Sequence, residues 1–126
     1  MRVFVVKAFR RFQRKERISD EALCEAIARV EQGLVDADLG GGLIKQRLAR
    51  QGQGRSGGYR TIIAYRQGDR SVFLNGFAKN TQANITRDEQ DGMKDFGKLL
   101  MQLDEDALEQ AVSSGELVEI DYDDEG

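Results

Sequence analysis

Two strand-like runs, Tyr59-Arg-Thr-Ile-Ile-Ala-Tyr-Arg66 and Ser71-Val-Phe-Leu-Asn-Gly-Phe-Ala78, are separated only by Gln67-Gly-Asp69. So short a connection forces them into an antiparallel hairpin. Both carry apolar residues on both faces, so they are expected at the centre of a sheet, packed by helices on one side. The rest of the chain must supply that cover.

Arg2-Val-Phe-Val-Val6 is short, β-branched and aromatic, and reads as a first strand. From Ala8 to Arg17 the residues Phe9 and Phe12 are three apart, with Arg10, Arg11, Arg14, Lys15 and Arg17 on the remaining arc, a basic amphipathic helix. Ser19 is a good N-cap, and Ile18 with Leu23 has the spacing of a hydrophobic staple, so a second helix runs from Asp20 to Glu31 and ends near Gly33. Asp38-Leu-Gly-Gly-Gly42 reads as a turn. Leu43 to Ala49 then alternates, with Lys45 and Arg47 on one face and Ile44, Gln46 and Leu48 on the other. Gly52 to Gly58 reads as a flexible loop leading into the hairpin. Thr86-Arg-Asp-Glu89 fits a capping box, followed by Met93, Phe96, Leu100 and Leu103 at helical spacing. Asp104 can cap a further helix that ends near Gly115, and Leu117 to Ile120 suits an edge strand or hook.

The expectation is an α+β domain: a small antiparallel sheet packed by N-terminal helices and a C-terminal helix, in the order β-α-α-β-β-β-α plus a C-terminal helical extension. With 126 residues there is room for one domain, expected over 1–120, of which 104–120 is the extension and 121–126 an acidic mobile tail. No long apolar run and no signal-peptide core occur, which predicts a cytoplasmic protein with no membrane partner. The single cysteine, Cys24, reads as a small packed residue.

The net charge of −3 conceals two halves: residues 1–103 hold 19 basic against 12 acidic side chains, while 104–126 hold none against 10. Within 43–80, Lys45, Arg47, Arg50, Arg55, Arg60, Arg66, Arg70 and Lys79 face one acid, Asp69. Arginine forks match phosphate bidentately, lysine supplies a point charge, and Tyr59 and Tyr65 offer rings or hydroxyls, so an RNA-like anion suits this segment. Solvated outward cations and packed tyrosines remain the alternative. With no histidine and no metal-ligand spacing, the sequence calls for no metal or cofactor. RNA cleavage by its own 2′-hydroxyl stays open, because it needs positioning and charge stabilisation more than a dedicated base. A sharper reading of the acidic tail has it folding back to screen Lys45, Arg47 and Arg60.

The stretches Arg55-Ser-Gly-Gly-Tyr-Arg60 and Val72-Phe-Leu-Asn-Gly-Phe-Ala-Lys-Asn80 resemble the RelE/ParE superfamily of toxin–antitoxin toxins, and especially its RelE-like, HigB-type branch, with G-G-Y-R and G-F-x-K-N strand motifs. The Ala37 to Gly42 turn and Gly115 to Glu119 fit as well. The resemblance implies a ribosome-dependent endoribonuclease that cuts mRNA without metal, by 2′-hydroxyl attack. On it, Arg60 contacts the scissile phosphate, Lys45 and Arg47 are candidates for ribosomal RNA contact and proton transfer, and Lys79 is the basic residue after the last strand. Arg55, Arg66 and Asn80 are the RNA-binding candidates. RelE itself has a second basic residue where Asn80 stands and a tyrosine where Thr86 stands, which makes Tyr59 or Lys45 the substitute for proton transfer. The implied partners are a cognate antitoxin of helix-turn-helix type, the ribosome and mRNA, with operator DNA reached only through the antitoxin complex. The alternatives are a ParE-like gyrase inhibitor and a non-catalytic antitoxin- or operator-binding module.

Overall fold

The structure, a computed structural model, describes residues 1–50, 54–78 and 86–122. The elements run β1 (Arg2–Val6), α1 (Lys7–Lys15), α2 (Asp20–Glu31), β2 (Ala37–Gly40), β3 (Leu43–Arg50), β4 (Gly54–Arg66), β5 (Arg70–Ala78), α3 (Arg87–Gln102), α4 (Glu105–Ser113) and β6 (Leu117–Ile120). The sheet order is β2-β3-β4-β5-β1-β6. The hairpin therefore does lie at the centre. β1 joins β5 in parallel and β6 antiparallel, and a strand paired on both sides reads as the unbroken apolar run Val3 to Val6.

Two segments differ from the sequence expectation. Ala37–Gly40 is a four-residue edge strand rather than part of a turn, its backbone recruited by β3, with Ala37 opposite Lys45. Only Gly41 and Gly42 turn the chain, both at positive φ. Residues 54–58, expected as loop, continue β4, because pairing with β3 as far as Arg50 opposite Gly54 outweighs the low strand preference of glycine.

Helices cover both faces of the central strands, not one. Phe9 of α1 packs on Phe73, with ring centroids 5.1 Å apart, and Phe12 meets Tyr59 edge-on at 5.6 Å. That face also carries Ile44, Gln46 and Leu48, which register against Ile63, Thr61 and Tyr59. On the other face α3 lies so close to β4 that a methyl added at Gly97 would sit 3.1 Å from Ala64 Cβ. The last turn of α3 contains no basic residue, and the sheet supplies the missing donors. Arg70 Nη1 donates to Leu100 O at 2.8 Å and Arg66 Nη2 to Met101 O at 3.1 Å, satisfying carbonyls that a helix end leaves unpaired.

The C-terminal elements are tied to the first strand. The Arg2 guanidinium donates to both oxygens of Glu119 at 2.9 Å and to Glu105 at 3.1 Å, which holds the Glu119 carboxyl below its usual range. Asp104 caps α4 through Ala107 N at 2.8 Å. The Cys24 thiol donates to Asp121 O at 3.5 Å, and burial with nearby acids pushes its pKa up, which suits a packed rather than a reactive cysteine. Asp121 and Tyr122, expected as mobile tail, are therefore in place: Tyr122 packs on the core.

Gln46 is fully buried on the helix-covered face. Its amide accepts from Asp36 N at 3.0 Å and donates to Leu34 O at 2.9 Å, which fixes the chain entering β2. Gln46→Leu keeps the volume and strands both backbone groups, so chemical denaturation is expected to show a loss of about 2–4 kcal/mol. An unchanged midpoint would mean that Leu34 and Asp36 find water instead.

Candidate functional site

Alternation along β3 and β4 decides which cations meet. Arg47 is paired directly with Arg60 across the two strands, and Lys45 with Ile62. Directly opposed residues share a face and lie about 5 Å apart at Cβ. Arg60, Arg47 and Lys45 thus stand together on the face that α3 flanks, at the end of the sheet away from the β4–β5 turn. Phe77 of β5 pairs with Arg60 and is buried beside it.

The three cations are held differently. Arg47 is exposed; its backbone N–H donates to Asp36 Oδ2 at 2.7 Å, and its Nε is 4.0 Å from Asp36 Oδ1. Asp36 also meets Arg29 at 3.3 Å, so a single carboxylate serves two arginines. Lys45 is half-buried between β2 and β4. Arg60 is half-buried as well, and its Nη1 is shielded from solvent without a hydrogen-bond partner among the described residues. An unsatisfied buried donor on a charged group is costly, and an opposed like charge adds to that cost. A cluster of this kind has the charge and the free donor to accept an anion. A tetrahedral phosphate, with several acceptor oxygens, matches two guanidinium groups and an ammonium.

Other candidates fall elsewhere. Tyr59 is next to Arg60 in sequence and therefore points to the opposite face. It is buried, and its hydroxyl donates to Glu16 at 2.9 Å. The structure does not bring Tyr59 to the cation cluster, so a proton relay from it to Arg60's ligand is ruled out by the sheet itself. Arg66 lies six residues along β4, about 20 Å from Arg60, paired with Asp69 and with the end of α3, which makes it structural. Lys79, Asn80 and the Arg55 side chain lie outside the described residues. Thr86 is the N-cap of α3: its Oγ1 accepts from Glu89 N at 3.1 Å, and its own N–H donates to Glu89 at 3.0 Å.

The screening role expected of the acidic end falls largely on residues 123–126, which lie outside the described residues. Ile120 pairs with Val3, so Asp121 follows beside Arg2, in line with Arg70 and Arg66 across the sheet. Three strand spacings and six residues of β4 separate Asp121 from Arg60, about 25 Å between backbones. Lys45 and Arg47 lie one strand farther out.

A family model described as the RelE toxin of the RelE / RelB toxin-antitoxin system matches residues 1–120. The chain belongs to the RelE toxin family. No match is found among curated proteins. The RelE match takes in every strand and helix, including α4 and β6, and RelE membership brings with it a cognate antitoxin as partner. Among the described residues no helix is long and apolar enough to cross a membrane.

Two basic residues beside the RelE-family sheet face escape a reading of strand motifs. Lys94 lies with its stem across the glycine turn, where a methyl on Gly41 would come 3.3 Å from Lys94 Cδ. Lys98 lines the cleft next to it. Their i, i+4 spacing was the available signal.

Proposed function

We propose that this RelE-family toxin is a ribosome-dependent mRNA endoribonuclease of the HigB type, acting without metal in the cytoplasm. The observation that carries this reading is the buried, unpartnered Nη1 of Arg60, set directly opposite Arg47 on a cationic sheet face. In the reaction the 2′-oxygen bonds to the adjacent phosphorus, the bond from phosphorus to the 5′-oxygen breaks, and the products are a cyclic phosphate and a 5′-hydroxyl. Arg60 offsets the charge that grows on the non-bridging oxygens, which is worth most where water is excluded. Arg47 holds the neighbouring phosphate. Lys45, on the same face one pleat repeat along the strand, passes the proton that leaves the 2′-hydroxyl or reaches the 5′-oxygen. The dependence on the ribosome follows from positioning: the site supplies charge, and the decoding centre supplies an RNA strand held in line for attack. The antitoxin, of helix-turn-helix type, silences the toxin by covering this face with acidic and apolar surface.

Purified toxin is expected to cut mRNA on programmed ribosomes, to leave the same mRNA intact when free, and to leave gyrase supercoiling unaffected. Inhibition of gyrase with intact mRNA would replace this reading by the ParE-like one.

A further inference from the structure

Beyond the cation cluster, the same face continues into an open cleft of about 370 Å³ between the glycine turn and α3. Its floor is Leu43 and Ala64, paired across β3 and β4, and its far wall is Gly97, Lys98 and Met101. The floor is two residues beyond Lys45 and four beyond Arg60, so the cleft begins about 14 Å from the guanidinium row. Helix α3 runs alongside β4 here, with Gly97 over Ala64 and the Met101 carbonyl against Arg66.

Both cations of the middle of α3 lie on its cleft side. At 100° per residue, Arg87, Gln90, Lys94, Gly97, Lys98 and Met101 share the side next to the cleft, Asp91 adjoins that arc, and Asp88, Glu89 and Asp95 fall beyond it. Neither Lys94 nor Lys98 makes an ion pair among the described residues, although four carboxylates are on the same helix. Three consecutive glycines at positive φ, Gly40 to Gly42, form the opposite wall, across which the Lys94 stem lies, and the turn is pinned by Tyr65 N donating to Gly42 O at 2.8 Å. The result is a narrow trough with Lys98 on one rim, the glycine backbone under Lys94 on the other, and Met101 as its accessible apolar surface.

We infer that this cleft holds the RNA strand a few nucleotides from the bond cut at Arg60, with Lys94 and Lys98 on its phosphates and one base against Met101. A single strand suits the trough better than a protein segment. Its backbone presents an anion at each repeat to cations spaced along a helix, and its base offers a flat apolar face to Met101. The inference rests on the endoribonuclease reading and adds a subsite to it. Cleavage preference is then set partly here, by which base fits against Met101, and not only beside Arg60.

Two measurements on programmed ribosomes test it. For Lys94→Gln/Lys98→Gln, both on the surface of α3, the half-saturating toxin concentration is expected to rise about tenfold, and the slope of log affinity against log salt to fall by roughly 1–2. The rate at saturation should fall by less than the half-saturating concentration rises. In the second measurement, Arg60→Ala toxin is bound to ribosomes whose mRNA carries 4-thiouridine at one position at a time. Irradiation is expected to crosslink Met101 or Lys98 from one position near the decoding codon. Unchanged half-saturation and salt slope overturn the subsite, as does mRNA that crosslinks to no residue of the cleft from any labelled position. Wild-type toxin that leaves programmed ribosomes uncut overturns the endoribonuclease reading itself, and the subsite with it.

Discussion

Arg60→Ala is expected to lower mRNA cleavage on programmed ribosomes by about 10²- to 10³-fold, the usual consequence of removing one preorganised donor from a developing oxyanion. The melting temperature should hold or rise slightly. Among the described residues the Arg60 Nη1 is buried without a partner, and Arg47 stands directly across from it, so deleting the guanidinium removes a cost rather than a support. This pairing of lost activity with retained stability separates a functional arginine from a structural one. Arg60→Lys restores charge without the planar fork and should recover only a small part of the rate. Cleavage by Arg60→Ala within about threefold of wild type, beyond which charge deletion at such a site normally falls, would remove Arg60 from the mechanism.

What could be read in the sequence was local. Ser19 before Asp20 fixed the start of α2, Thr86 with Glu89 that of α3, and the alternation from Leu43 placed Lys45 and Arg47 on one face with Gln46 on the other. What escaped was decided by partners distant in the chain. Ala37–Gly40 has poor strand chemistry and becomes β2 only because β3 offers an unpaired edge. β1 enters between β5 and β6, residues some 70 and 115 positions away, and nothing within Arg2–Val6 encodes that choice. Arg66 looked like a phosphate ligand because its duty, closing the carbonyl end of α3, depends on where that helix docks. Tyr59 is a different case. Strand alternation already separates it from Arg60, and the motif's adjacency in sequence hid a division into opposite faces.

The glycine of the second motif poses the same question of packing against function, and the structure answers it with a distance. A methyl at Gly76 would lie 2.5 Å from Phe12 Cε2, 2.8 Å from Phe12 Cδ2 and 3.0 Å from Phe9 Cε2. These are ring atoms of two side chains locked between α1 and the sheet, so neither can swing out without opening the core. A β-bulge lies just before this point, where the register shifts between Ile62 and Ile63, and it turns Gly76 to the same side as Phe73. Gly76→Ala is therefore expected to destabilise the domain by about 1–3 kcal/mol and to lower its melting temperature by roughly 5–15 °C. Phe12→Leu should relieve much of the overlap, so that Gly76→Ala costs at least about 1 kcal/mol less in that background than in wild type, a coupling that a thermodynamic cycle reads directly. If the glycine instead served a close approach of RNA, the alanine variant would keep its melting temperature and lose cleavage. Because α1 and Arg60 lie on opposite faces, the two outcomes cannot be mistaken for one another: packing predicts a fall in stability with cleavage per folded molecule largely retained.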